Sequence, residues 1–402
     1  MRKLLLCIAL AGCSAPSEGS DGAAAQDLAG ADLVGTAGAD LAGTDLATTA
    51  GPHRWVMGYY TGYQAKALPV AEIDWTALSH LAIAFYLPDG AGGLDEQLSI
   101  DPTAGPALGH ALVAAGHAAG RKVVASIGGS TAHDTLAASA KAATRAKFVA
   151  RIVKLVGDYG FDGVDLDWEP IASADVGDLV ALATALRAAL PGTTLTIPVN
   201  TRNYNLMDDL SFAPQLAAVF DQVNLMSYGM AGTYTGWKSW HSAPLHWNHD
   251  TTTPTGIDDS IDAYLATGVA AAKLGVGSGF YGLCYSSPVK APAQALGGSA
   301  IVADDGTMSY AHIMSAYYSA AAAQRDTGAA VPYLTFAAPH GPEQCTYVTY
   351  EDAQSIADKG AYVASKGLGG VIIWTINQGH LASAPVGQRD PLLAAMRAAF
   401  NP

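Results

Sequence analysis

Residues 161–170 read FDGVDLDWEP, a run in which acidic and apolar side chains alternate. Successive side chains of a β-strand point to opposite faces, so an extended backbone separates the acids from the apolar groups. Pro170 ends the strand and leaves the side chain before it at the rim. The acidic face holds Asp165, Asp167 and Glu169, and the apolar face holds Val164, Leu166 and Trp168. The run therefore predicts a buried strand with three carboxyl groups on one face.

Seven further strand-length apolar runs flank this one, and longer stretches with helical periodicity separate most of them. The predicted strands are residues 55–60, 80–85, 122–127, 163–168, 195–199, 222–228, 273–276 and 370–375. The predicted helices include residues 144–159, 175–190, 257–272 and 350–366. Eight such units in residues 53–402 predict an α/β fold, a (β/α)8 TIM barrel rather than a doubly wound open sheet.

Three carboxyl groups on the inner face of a barrel strand indicate a catalytic site, because a core lined with acids is otherwise costly. In such barrels these side chains rise toward the C-terminal mouth, where active sites lie. Burial and like charge both raise carboxyl pKa values, so at least one proton is shared. Glu169, the outermost acid, is the candidate general acid. The alternatives are a solvent-facing acidic strand or a Ca²⁺ loop, but an EF-hand-type loop has longer spacing.

The segment DGVDLDWE at residues 162–169 resembles D-G-x-D-x-D-W-E, the active-site signature of glycoside hydrolase family 18, the chitinases and their relatives. The resemblance covers most of the folded part. Gly58-Tyr59-Tyr60 is similar to the family's first strand, Ser126-Ile127-Gly128-Gly129 to the S-x-G-G of its third, Met226-Ser227-Tyr228 to the M-x-Y of its sixth, and Trp374 to the tryptophan of its eighth. The resemblance implies an enzyme that needs no cofactor.

The resemblance also implies a retaining mechanism in which the substrate's acetamido oxygen is the nucleophile. Glu169 would protonate the leaving group and later deprotonate water. Asp167 would orient the acetamido N–H, and Asp165 would hold a shared proton behind the other two acids. Tyr228 would bond the acetamido carbonyl, and Trp374 would form the apolar floor under the sugar.

Other positions of the resemblance concern the pocket lining. Tyr59, Met226 and Gly128 would line it; plain core packing is the alternative for Tyr59 and Met226, and Met226 fits it equally well. Gly229 follows the M-x-Y tyrosine, where many family members carry Asp. Because of this departure, the resemblance does not predict the pH optimum or the fine positioning of the substrate. It still predicts the type of reaction.

Aromatic residues cluster after the sixth predicted strand, at Trp237, Trp240 and Trp247. Aromatic rings stack on pyranose faces, so this cluster favours an extended sugar-binding groove with Trp237 in it. The alternative is a packed surface loop. The histidine and aspartate residues nearby match no metal-ligand spacing: His241, His246, His249, Asp250 and Asp258. We expect no metal site.

The first 12 residues have the features of a signal peptide, because Arg2 and Lys3 precede the apolar run 4–10. Residues 10–13, LAGC, resemble the bacterial lipobox, in which cleavage precedes the cysteine and its thiol is lipidated. Cys13 is then a lipid anchor, and the alternative is an ordinary signal with an idle Cys13. Ser14 in place of Asp would leave the protein free to reach an outer membrane. We expect an exported protein of the bacterial cell envelope or surface, or a secreted one.

Residues 13–52 predict a low-complexity acidic linker. Gly, Ala, Asp and Thr dominate it, and the short motif G-A/T-D-L recurs at residues 30–33, 38–41 and 43–46. A repeat architecture would need units of about 20 residues or more, so these repeats indicate a solvated tether. The tether would hold the barrel, residues 53–402, away from the membrane.

The seventh and eighth predicted strands lie much farther apart than one helix requires. An insertion at about residues 283–346 therefore predicts a small α+β unit beside the barrel mouth. Cys284 and Cys345 fall at its two ends. An exported protein meets oxidising conditions, which favour a disulfide there, and two unpaired thiols remain the alternative.

Composition excludes several classes of protein. Against 35 Asp+Glu there are 21 Lys+Arg, and the formal net charge is −14, the wrong sign for a nucleic-acid partner. No apolar run reaches the length of about 18 residues that a transmembrane helix needs, so we expect membrane contact through the lipid anchor alone. We expect a monomer.

Together these features predict a hydrolase of β-1,4-linked N-acetylglucosamine polymers, with chitin as the leading substrate. An endo-β-N-acetylglucosaminidase acting on N-glycans and a hydrolase of peptidoglycan-type glycans remain alternatives. A chitin-binding, lectin-like relative is the non-enzymatic alternative, and the presence of Glu169 with both aspartates argues against it. Endo or exo action and the preferred chain length stay open.

Overall fold

The computed structural model describes residues 54–202, 209–250 and 252–400. The predicted signal peptide, the linker and Cys13 lie outside these ranges. The strands are β1 (Trp55–Thr61), β2 (His80–Pro88), β3 (Leu94–Asp95), β4 (Lys122–Gly128), β5 (Gly163–Asp167), β6 (Thr194–Val199), β7 (Gln222–Leu225), β8 (Leu274–Gly279), β9 (Leu283–Tyr285), β10 (Ile301–Ala303), β11 (Ala323–Asp326), β12 (Val331–His340), β13 (Cys345–Thr349) and β14 (Gly370–Trp374). The α-helices are α1 (Ala104–Ala118), α2 (His133–Ala140), α3 (Arg145–Tyr159), α4 (Val176–Ala189), α5 (Ala213–Val219), α6 (Ile257–Ala266), α7 (Tyr310–Ala316), α8 (Ala353–Lys366) and α9 (Pro391–Phe400).

Eight of these strands form a closed parallel barrel in the order β1-β14-β8-β7-β6-β5-β4-β2. Strand β1 pairs with both β14 and β2, which closes the sheet on itself. Helices lie between the strands, and the predicted (β/α)8 barrel is confirmed. Across the described ranges, no helix combines the length and the apolar character that crossing a membrane requires.

Two predicted elements end three or more residues earlier in the structure than in the sequence analysis. The sixth barrel strand stops at Leu225 rather than residue 228, because Met226 and Ser227 leave the ladder. The backbone N–H of Met226 still bonds the Val199 carbonyl, at 2.8 Å, as the chain turns into the barrel mouth. Helix α6 stops at Ala266, and Gly268, with φ +94°, ends the helical path two residues later.

The two faces of the barrel strands carry different side chains. Branched and aromatic groups on the outward face, such as Val164, Leu166 and Trp168 of the β5 segment, belong to the large core between sheet and helices. The inward face carries a smaller apolar cluster that includes Met57 and Tyr59. The acids of β5 share that inward face, as the alternation of residues 161–170 predicts.

The insertion between β8 and β14 contains α7 and a five-stranded antiparallel sheet, in the order β10-β9-β13-β12-β11. Its sheet runs from Leu283 to Thr349, close to the predicted limits. A disulfide joins Cys284 on β9 to Cys345 on β13, with Cα atoms 5.3 Å apart. This bond ties the first strand of the insertion to its last.

Candidate active site

Asp165 lies at the centre of the barrel and is fully buried. Three hydroxyl groups from three other strands donate hydrogen bonds to it. The donors are Tyr59 Oη and Ser126 Oγ, 2.9 and 2.8 Å from Oδ2, and Thr196 Oγ1, 2.5 Å from Oδ1. Burial raises the pKa of Asp165 to about 6, while the three donors oppose the rise. The hydroxyl groups fix this carboxyl in one orientation.

Asp167 and Glu169 continue the same face toward the mouth. Burial raises the pKa of Asp167 well above its usual range, and the charges of Glu169 and Asp165 add to the rise. Burial also raises the pKa of Glu169, while a hydrogen bond from Asp167 opposes that rise. The two carboxyl groups therefore share a proton. Within the described residues, Asp167 Oδ1 is buried without a hydrogen-bond partner, so it is a free acceptor inside the site.

Tyr228 faces these acids from the segment after β7. Burial raises the pKa of its hydroxyl, and Tyr281 and Glu169 are among the groups that add to the rise. Space for its ring comes from strand β8, whose inward positions are glycines. A Cβ at Gly277 would lie 2.8 Å from the Tyr228 ring, and one at Gly279 would lie 3.1 Å from Tyr228 Cβ. The glycine strand therefore permits the position of the tyrosine.

Trp374 ends β14 and lies on the inner side of the barrel mouth. Its ring stacks on Phe85 with centroids 5.7 Å apart and lies tilted 5.6 Å from Tyr59. Met226 and Tyr228 are packed against the same inner cluster. The structure thus brings together the aromatic floor, the two tyrosines and the methionine that the sequence analysis placed at the pocket.

Gly128 lies against the backbone of the acid strand. A Cβ there would be 2.1 Å from the carbonyl oxygen of Asp167, and the N–H of Gly129 donates to the same carbonyl at 2.8 Å. Gly128 therefore lies against the backbone of Asp167, and its lack of a side chain lets β4 approach the acid strand closely.

The aromatic loop after β7 differs from the expected groove. The ring of Trp237 is buried and packs edge-on against Tyr234, with centroids 4.8 Å apart, in its own loop. Trp240 and Trp247 are also buried, in a cluster with Ala329 and Val331 of the insertion. The expectation of three tryptophans presented to sugar is wrong for Trp240 and Trp247, because packing against the insertion covers them. Trp237 is not brought into the cluster around Trp374.

The structure adds four residues that the sequence analysis did not place in the site: Ser126, Thr196, Tyr281 and Asp305. The alternation of strand side chains could have found Ser126 and Thr196, because both occupy inward positions of barrel strands. Tyr281 and Asp305 come from the region of the insertion. No periodic pattern links them to the acids, so tertiary packing alone places them there.

The family model described as "Glycosyl hydrolases family 18" matches residues 55–379. "Chitinase 1" of Aphanocladium album is 30% identical over 271 residues, which are 63% of this chain and 60% of that protein. The "chitinase-like effector" of Moniliophthora perniciosa is 26% identical over 397 residues, 85% of each chain. The chain thus spans 60% of the length of the first of these relatives.

A solved structure shows the same architecture. The Group IV chitinase of Ostrinia furnacalis superposes with a TM-score of 0.73 at 20% identity, covering 87% of this chain and 100% of that one. This likeness shows a shared fold.

Proposed function

Because this chain belongs to glycosyl hydrolase family 18, we propose that it hydrolyses β-1,4-linked polymers of N-acetylglucosamine, with chitin as the leading substrate. One observation supports this most directly. Asp165 and Asp167 lie on the inner face of β5 and Glu169 follows just beyond its end, and among the described residues Asp167 keeps a buried oxygen without a partner. A buried acceptor left unpaired in the unliganded site suits a ligand that brings an N–H donor.

The chemistry starts from the proton that Asp167 and Glu169 share. An acetamido N–H that donates to Asp167 Oδ1 favours the ionised form of Asp167, so the shared proton then lies on Glu169. Glu169 gives this proton to the glycosidic oxygen while the bond from C1 to that oxygen breaks. The acetamido carbonyl oxygen forms the new bond to C1, and the product is an oxazolinium ion with inverted configuration.

The second half of the reaction restores the site. Water attacks C1, Glu169 takes the proton of that water, and the bond from C1 to the acetamido oxygen breaks. A second inversion gives net retention. The Tyr228 hydroxyl, with its pKa raised by burial, stays protonated and can donate to the acetamido carbonyl. Trp374 provides the apolar face under the sugar ring.

The experiment compares the wild type with Glu169→Gln on chitooligosaccharides, N-glycans and peptidoglycan, with products identified by mass. We expect the wild type to shorten chitooligosaccharides and the variant to be slower by a factor of about 10² to 10⁴. ¹H NMR of the first products should show the β-anomer. If the wild type cleaves N-glycans or peptidoglycan faster than chitooligosaccharides, the preferred glycan and not chitin is the leading substrate. Equal inactivity of both proteins, with binding retained, would establish the lectin-like alternative.

We also propose that the mature protein is a monomer, exported and anchored through a lipid on Cys13. The lipobox-like residues 10–13 support the anchor. Membrane fractions of cells that express the wild type or Cys13→Ala provide the test, and we expect the variant to leave the membrane. Unchanged membrane association of the variant would reject lipidation as its cause. Sedimentation of the soluble variant reports the oligomeric state.

A further inference from the structure

Asp305 lies in the insertion, on the loop after β10, and touches the aromatic floor of the site. Its Oδ2 accepts a hydrogen bond from Trp374 Nε1 at 3.1 Å. Its backbone carbonyl accepts a second hydrogen bond, from Gln378 Nε2 at 2.6 Å. The insertion loop is therefore attached both to the floor and to the turn that follows it.

One of these hydrogen bonds holds the indole of Trp374, and the other holds the turn that follows β14. Gln378 is buried in the 3₁₀ turn Ile376–Gly379, directly after β14, and its Oε1 accepts from Thr375 N at 3.3 Å. The ring of Trp374 packs against Phe85 and Tyr59. Its N–H edge is held by Asp305. Packing limits the tilt of the indole, and the hydrogen bond limits its rotation in the ring plane.

Asp305 also places charge near the catalytic acids. Burial raises the pKa of Glu169, and the negative charges of Asp165 and Asp305 add to that rise. Asp165 and Asp167 approach Glu169 from β5, Tyr228 from the segment after β7, and Asp305 from the insertion. Asp305 is thus an acid that acts on Glu169 from outside the acid strand.

Position 229, which faces the same mouth, contributes no carboxyl group. Gly229 has φ +62°, and a Cβ there would lie 2.8 Å from Tyr281 Oη. Its N–H donates to Ser242 Oγ at 3.0 Å. The groups that contact this corner are therefore neutral hydroxyls, those of Tyr281 and Ser242.

We propose that Asp305 is a positioning residue, which fixes the Trp374 indole by its N–H edge and supplies from the insertion a carboxylate that position 229 lacks. The proposal rests on the proposed hydrolysis of N-acetylglucosamine polymers. It assigns the insertion a direct part in the site, and it makes the floor depend on both halves of the fold.

The test compares Asp305→Ala with Asp305→Asn on chitooligosaccharides across a pH series. The alanine variant loses the acceptor for Trp374 Nε1, so we expect KM to rise by a factor of about three to ten, with a smaller change in kcat. The asparagine variant keeps an oxygen acceptor but loses the charge. We expect its KM to stay near the wild-type value and the alkaline limb of kcat to move to lower pH, because the pKa of Glu169 falls.

Asp304→Asn is the matched control, because it removes the same charge from the neighbouring position of the same loop. Asp304 is exposed, and its carboxyl accepts from Gly306 N at 3.4 Å. We expect neither KM nor the alkaline limb to change in this variant. Thermal unfolding of all three variants checks that each is folded.

The outcomes separate this inference from the proposed function. If the wild type releases no products from N-acetylglucosamine oligomers, the proposed function fails. If the wild type is active and Asp305→Ala keeps the wild-type KM, only the role of Asp305 is overturned. The same holds if Asp304→Asn shifts the pH profile as much as Asp305→Asn does, or if Asp305→Asn fails to restore KM.

Discussion

Asp167 in the barrel and His241 beside the insertion are two buried polar side chains with opposite surroundings. In the barrel, Asp167 Oδ1 is buried without a partner among the described residues, and like charges surround its carboxyl. Beside the insertion, buried His241 has both ring nitrogens bonded. Nε2 lies 2.9 Å from Asp326 Oδ2, and Nδ1 lies 3.0 Å from Tyr347 Oη.

This difference between Asp167 and His241 distinguishes a ligand-binding site from a structural hydrogen-bond network. A buried polar atom without a partner costs about 1–3 kcal/mol, so its presence in the barrel indicates a bond that a ligand completes. The satisfied network of His241 connects the loop after β7 to β11 and β13, and burial lowers the pKa of His241, which keeps the ring neutral. Substitutions in the first region should therefore change chemistry, and substitutions in the second should change stability.

Asp167→Asn should give the largest effect. It removes a carboxyl from the reacting site, and we expect kcat to fall by about 100-fold or more. The folded state raises the pKa of Asp167, so it binds this proton more tightly than the unfolded state, and stability is lost as pH rises. The asparagine of the variant has no proton to lose in this pH range. Its Tm relative to the wild type should therefore rise between pH 4 and pH 7, measured by thermal unfolding beside steady-state kinetics.

Asp326→Asn is the opposite case and the control. The hydrogen bond with His241 lowers the pKa of Asp326, so its contribution to stability is present above the unfolded-state pKa and lost as pH falls. This variant should be less stable than the wild type at pH 7, by a difference that narrows toward low pH, with kcat unchanged. Parallel pH trends for the two variants would contradict the comparison.

Gly277→Ala should give an intermediate effect on activity. The new Cβ would lie 2.7 Å from the Leu225 carbonyl and 2.8 Å from the Tyr228 ring. Displacing that tyrosine by a fraction of an ångström should lower kcat/KM by about ten- to 100-fold. Gly157→Ala is the control, because nothing lies within 4 Å of a Cβ at that helical position. An unchanged kcat/KM in Gly277→Ala would show that the glycine strand does not set the position of Tyr228.

Tyr347→Phe should give the smallest effect. Because Asp326 accepts from His241 Nε2, Nδ1 accepts from the Tyr347 hydroxyl. Loss of that bond should lower the free energy of unfolding by about 1 kcal/mol, measured by urea denaturation. We expect kcat and KM to keep their wild-type values. A fall in kcat here would mean that the His241 network takes part in the site after all.

Much of the fold and part of the site could be predicted because they depend on local patterns. The alternation in residues 161–170 predicts which side chains of β5 face inward, and pairing with β4 and β6 places Ser126 and Thr196 beside Asp165. The aromatic loop after β7 could not be interpreted in this way. An aromatic-rich loop has the same composition whether it lines a sugar-binding groove or packs against the protein. The contact of Trp240 and Trp247 with Ala329 and Val331 shows that these two rings are packed.

The sequence by itself determined the βα order and the inward acids of the fourth barrel strand, because strand periodicity is a property of consecutive residues. Only the tertiary structure decided that Asp305 holds Trp374 and that Tyr281 lies against Gly229. Those contacts join residues far apart in the chain. Their geometry follows from how the insertion closes on the barrel mouth, which no short-range pattern encodes.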